Sequence, residues 1–141
     1  MIIYKQAKSI AELVDILRLR IEVFVVEQGY RPDLEPDQYD KTAMHWMALE
    51  DNKIVSYARV IATGKEYRIG RMVTKKEYRG KGIAKGLVSF IIKKLLKKNP
   101  KRIWLHAQVP AEKFYLKCGF KTVSKPYIYD GKPHVDMEYV F

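Results

Sequence analysis

Arg79-Gly80-Lys81-Gly82-Ile83-Ala84 is the stretch whose reading decides the fold. It follows a strand-like segment and opens an apolar, helix-periodic one. Two glycines permit dihedrals that other residues resist and let the backbone approach a ligand closely. The first amides of a helix lack internal partners and sit at the positive end of its dipole. A turn of this kind binds pyrophosphate. Arg79 and Lys81 add positive charge that reads as mobile. The spacing is not the dinucleotide fingerprint, and the turn lacks the Gly-Lys-Ser/Thr ending of a nucleoside triphosphate loop. It points to a nucleotide-containing cofactor of another kind.

Working outward, the helix runs from about Gly82 to Lys98, with Ile83, Leu87, Ile91 and Leu95 as its buried stripe and Asn99-Pro100 as its stop. Upstream lie strands over Ala43–Leu49, Ile54–Ala62 and Tyr67–Val73, with Asp51-Asn52 as a hairpin tip. Before them come a first strand, Met1 to Gln6, and a helix. That helix opens on the capping-box pair Ser9 and Glu12 and continues through Phe24. Tyr30 to Thr42, with Pro32 and Pro36, reads as a loop. Downstream are a strand over Arg102–Ala107, a short helix over Ala111–Lys117 ending at Gly119, and strands starting at Phe120 and His134. The order predicts one α/β (α+β) domain over residues 1–141: a mixed, mostly antiparallel sheet of six to seven strands flanked by helices on both faces.

Composition narrows the function. The chain has 141 residues, 48% of them hydrophobic, which suits one domain with a real core rather than disorder. One cysteine rules out an intrachain disulfide, and three scattered histidines make no metal site, so metal is expected to be none. No leader or membrane-length apolar run is evident, which fits a cytoplasmic setting. The net charge of +11 is compatible with nucleic acid, an anionic membrane or a polyphosphate ligand. The lysines at 93, 94, 97 and 98 read as a solvated helix face, and no nucleic-acid motif accompanies them. The expected partners therefore include neither nucleic acid nor membrane.

Two segments carry a family resemblance. Met72-Val73-Thr74-Lys75-Lys76-Glu77-Tyr78-Arg79-Gly80-Lys81-Gly82-Ile83-Ala84 resembles the acyl-CoA-binding motif of the GNAT (GCN5-related) N-acetyltransferases, in which Arg79, Gly82 and Ala84 occupy the motif positions. Phe114-Tyr115-Leu116-Lys117-Cys118-Gly119-Phe120 resembles the family's second hallmark. Val23 to Gln28, Asp40, His45 and Asp130 to Val135 are further similar to an ElaA/YjcF-type subgroup whose acceptors are poorly defined.

The resemblance implies an enzyme that moves an acetyl group from acetyl-CoA to a primary amine by direct attack in a ternary complex. The alternative is a non-catalytic acyl-CoA-binding or regulatory module. By resemblance, Met72 and Val73 offer main chain to the pantetheine arm where the fourth strand splays from the fifth. Arg79, Gly80, Lys81, Gly82, Ile83 and Ala84 would hold the diphosphate. Tyr115 would protonate the departing thiolate. Glu27 and His134 lead the candidates for general base, beside Asp40, His45 and His106. The acceptor is expected to be a small-molecule or peptide amine, and a homodimer through an exposed sheet edge is compatible with the chain. Independently of the family, Glu27, Asp33, Glu35, Asp37 and Asp40 cluster in a basic protein, which suggests a filter for cationic amines. Cys118 has no evident base beside it and reads as a packing thiol.

Overall fold

A computed structural model describes all 141 residues. The order is β1 (Ile2–Gln6), α1 (Ile10–Arg20), β2 (Met44–Glu50), β3 (Lys53–Thr63), β4 (Glu66–Thr74), α2 (Ile83–Leu96), β5 (Arg102–Gln108), α3 (Glu112–Lys117), β6 (Phe120–Thr122), β7 (Tyr127–Tyr129) and β8 (Lys132–Tyr139). The strands form one sheet in the order β1-β2-β3-β4-β5-β8-β6, with β7 paired to β8. Only β4 and β5 run parallel. The mixed sheet expected from the sequence is therefore present, with eight strands rather than six to seven. The extra one, β7, is three residues long, too short to show an alternating pattern of its own, and exists through its register with β8.

Local chemistry sets the element ends. Ser9 caps α1: its hydroxyl accepts from the Glu12 amide, while the Glu12 carboxylate accepts from the Ser9 amide. Beyond Arg20 the helix does not continue as α. Ile21–Glu27 winds as a π-helix, in which the Gln28 amide donates to the Val23 carbonyl five residues back, and Gly29 ends it at φ +75°. Such segments are rare and concentrate at functional sites. Here the segment sends Val23, Phe24 and Gln28 toward the centre of the sheet.

The two faces of the sheet are packed separately. On one, Ile16, Leu19 and Val23 bury against Met47, Tyr57 and Val73. On the other, Leu87, Val88, Ile91 and Leu95 of α2 cover Val60, Ile69, Ile103 and Leu105, and α3 adds Tyr115. Each fully buried aliphatic side chain contributes about 1.5–3 kcal/mol relative to exposure. These packed faces clamp the sheet on both sides of the point where β4 and β5 separate.

No helix is long and apolar enough to cross a membrane.

Candidate active site

β4 and β5 pair through four residue couples, ending at Ile69–Leu105. Beyond that point both strands continue without each other. On its far side β4 stays paired to β3, with a bulge at which Arg71 takes φ +51°. The result is a cleft of about 450 Å³ that runs through the sheet. Ala84, Phe114 and Tyr115 line it on the α2 face; Val23, Phe24, Tyr30, His106 and His134 line it on the α1 face.

The main chain of β4 is exposed to this gap in a definite pattern. Ser56 Oγ donates to the Val73 carbonyl at 2.9 Å, and the Lys75 amide donates to the Val55 carbonyl, so both groups face β3. In a trans peptide C=O and N–H point in opposite directions. The Thr74 amide therefore faces the gap, and since a strand residue turns its own N–H and C=O to the same side, Val73 in register with Tyr57 leaves the Met72 carbonyl facing the gap as well. This corrects one expectation: Val73 turns its main chain to β3 and enters the core with its side chain, and Thr74 takes the exposed position.

The glycine-rich turn lies at the mouth of the same cleft. Gly80 and Gly82 sit at φ +76° and +80°, and a Cβ at either would meet nothing within 4 Å. Glycine is required here for backbone conformation, and the space before the turn is open. No side chain caps α2, and the amides of Gly80, Lys81, Gly82, Ile83, Ala84 and Lys85 donate to no protein group. Six free amides at a helix start fit an anionic group. Arg79 is engaged by protein groups rather than free. Its guanidinium holds Glu27 through two bonds of 2.6 and 2.8 Å, and its Nε donates to the Thr74 carbonyl at 3.0 Å.

Glu27 is correspondingly held in an ion pair with Arg79. The bond from Arg79 lowers its pKa, and its carboxylate does not line the cleft. Asp40 and His45 are structural as well. Asp40 receives Arg20 at 2.7 and 3.1 Å and Arg59 at 3.1 Å, and His45 bridges Tyr57 Oη and the Asp40 carbonyl. The acidic cluster does not form a cation filter: Arg20 binds Glu35 and Asp40, Arg59 binds Asp37 and Asp40, and Arg71 binds Glu35 and Asp37. Three arginines, remote in sequence, neutralise three carboxylates and pin the loop that borders the cleft.

Two imidazoles and the phenols of Tyr30, Tyr115 and Tyr129 remain at the cleft. His134 is 6% exposed and donates from Nδ1 to the Lys132 carbonyl at 2.8 Å. His106 sits across from Asp136 on β8, with Nδ1 at 2.5 Å from Oδ1. Tyr115 packs between Phe114 and Phe120, and its hydroxyl has no protein partner. Burial, with Cys118 nearby, raises the Tyr115 pKa, so the phenol keeps its proton. Sequence reading missed Thr74, whose exposure depends on strand parity, and Asp136, which stands 30 residues from the histidine it holds.

Residues 11–141 match the model of the acetyltransferase (GNAT) domain. The chain belongs to the GNAT acetyltransferase family. It is 31% identical over 135 residues to protein ElaA of Escherichia coli, covering 92% of this chain and 88% of ElaA. A UPF0039 protein of Schizosaccharomyces pombe is 36% identical, covering 95% and 91% of the two chains. The crystal structure of Escherichia coli ElaA superimposes with a TM-score of 0.89 at 29% identity, over 99% of this chain and 100% of that one. An acyl-CoA N-acyltransferase from Pseudomonas aeruginosa gives 0.86 at 28% identity, over 99% of each chain.

Proposed function

We propose that this GNAT protein transfers an acetyl group from acetyl-CoA to a primary amine by direct attack. One observation carries the reading: a cleft with an unpaired strand edge and an unpartnered tyrosine hydroxyl reaches Arg79 and Ala84, within the turn that holds six unpartnered amides. The amides of Gly80 to Lys85 would hold the diphosphate, with Lys81 beside them. The Met72 carbonyl and Thr74 amide would hold the pantetheine arm as an added strand. Arg79 and Glu27 brace the turn against the end of β4 rather than contacting substrate.

Tyr115 would then serve as the acid. Expelling a thiolate needs a proton or hydrogen bond at sulfur, and a neutral phenol in an apolar wall supplies it. The cleft is lined by residues from both faces of the sheet, which suits donor and acceptor approaching from opposite sides. At the α1 end the walls are Phe24, Tyr30, Leu34 and Tyr129, and Glu35 is already neutralised by Arg20 and Arg71. An amine on an apolar or aromatic body suits these walls better than a polyamine.

Calorimetry with CoA and acetyl-CoA, followed by thiol release across an amine panel, tests the proposal. Saturable binding with amine-dependent thiol release is expected. Binding without release from any amine would identify a non-catalytic binding module, and no binding would overturn the reading altogether.

A further inference from the structure

An acceptor amine is a cation in water and must lose a proton before its nitrogen can attack. The sequence points first to Glu27 and His134 for this task. Glu27 is consumed by Arg79. His134 is enclosed: it stacks on Tyr127, meets the edge of Tyr129, and its one hydrogen-bond partner is a carbonyl. A positive charge there would be buried with no carboxylate in contact, which is costly.

His106 differs in each respect. It lies on β5 at the cleft, with its side chain 40% exposed. Asp136 is its cross-strand partner on β8, and Tyr127 of β7 approaches both groups, at 2.8 Å from His106 Nδ1 and 2.6 Å from Asp136 Oδ1. Trp104 packs edge-on against the ring with centroids 4.8 Å apart. Asp136 is itself fixed, since its amide donates to Ser124 Oγ and its carbonyl accepts from the Val123 amide. The charged groups beyond this shell are Arg102, which pairs with Glu138, and Arg68, which lies over Trp104.

We propose that His106 is the base that takes the acceptor amine's proton, with Asp136 and Tyr127 as positioning residues. The inference rests on the acetyl-transfer reading above. A carboxylate only accepts, so the Asp136 contact places the proton on Nδ1 and leaves the Nε2 lone pair free. Burial disfavours the Asp136 charge, yet bonds from Tyr127 and His106 outweigh it and hold its pKa low. It is therefore ionised when the imidazolium forms. The step balances simply. The ammonium N–H bond breaks and its proton passes to Nε2. The amine lone pair then forms the C–N bond while the thioester C–S bond breaks. Tyr115 gives its proton to sulfur and regains one from the attacking nitrogen. The products are amide, free thiol and imidazolium, which returns its proton to water through its exposed edge.

The test compares H106Q, H134Q and D136N in the full-length protein, with pH profiles of kcat/KM and 15N spectra of the imidazoles. In H106Q, kcat should fall about 100-fold, KM for acetyl-CoA should move less than about threefold, and the acid limb of the profile should disappear. H134Q should keep that limb. In the wild-type protein His106 should carry its proton on Nδ1, and D136N should mix the tautomers. An Nε2-protonated His106, or an H106Q enzyme that retains the acid limb, would overturn the assignment while wild-type turnover leaves acetyl transfer standing. Failure of the wild type itself to release thiol would instead remove the acetyl-transfer reading, and this assignment with it.

Discussion

Replacing Tyr115 with Phe removes one oxygen and almost nothing else. The ring stays 8% exposed, packed 5.0 Å from Phe114 and 5.9 Å from Phe120. The hydroxyl makes no protein hydrogen bond, so its loss orphans no partner, and stability should change by less than about 0.5 kcal/mol. CoA affinity should likewise hold, because the amides of Gly80 to Lys85 and the edge of β4 are untouched. General acid catalysis contributes roughly 10²–10⁴-fold, and the apolar wall around Tyr115 leaves no evident substitute donor. We expect kcat to fall at least about 100-fold, a barrier increase of roughly 2.7 kcal/mol. Tyr115→Ala is the contrasting variant: deleting a buried ring costs about 3–5 kcal/mol and should lower the melting temperature sharply. Thiol-release kinetics, CoA titration and thermal melts on the two variants read these effects separately. Wild-type kcat in the Tyr115→Phe protein would refute the role of the hydroxyl.

Three further outcomes are expected. Gly82→Ala forces a Cβ into the left-handed region with open space around it, so the penalty is conformational, about 1–2 kcal/mol; melting should drop a few degrees and CoA titration should show weaker binding. Glu27→Gln breaks an exposed pair with Arg79, and steady-state assays should find kcat reduced less than about tenfold, as suits a strut rather than a base. Asp40→Asn leaves Arg20 and Arg59 underneutralised in the interior and should cost roughly 3 kcal/mol or more at about pH 7. Burial works against the Asp40 charge, but Arg20, the Asp37 amide and Arg59 prevail and set its pKa to about 2. That folded value lies below the unfolded value near ~3.9. Its stabilisation is thus complete above about pH 4 and is lost as pH falls toward about 2, so the wild-type melting temperature should decline across that window more steeply than the variant's.

Structure is most legible in the chain where it is local. The Ser9–Glu12 box, the glycines at 80 and 82 and the Asn99-Pro100 stop each act within a few residues, and the helix starts they imply are within a residue or so of the observed ones. The π-helix over Ile21–Glu27 shares its apolar face with a continuing α-helix, so residue type does not separate the two; hydrogen-bond partners one residue further back leave no distinct signature in the sequence. β7 escapes sequence reading because three residues show no periodicity.

The site divides along the same line. The glycine-rich turn and the Tyr115 segment are legible because each is contiguous, and backbone dihedrals with a helix start suffice to define them. The acidic run from Asp33 to Asp40 misleads, since proximity in sequence shows the carboxylates but not the arginines at 20, 59 and 71 that neutralise them. Strand parity decided that Thr74 rather than Val73 faces the gap, and β5–β8 pairing decided that His106 meets Asp136. Charge balance and proton direction depend on which groups come within about 3 Å, and that is settled by long-range register. The amino-acid order determined the helix starts, the turns and the glycine-rich loop, because short-range sterics and capping act wherever the chain happens to be; the tertiary structure alone decided which acids stay free and which imidazole gains a carboxylate.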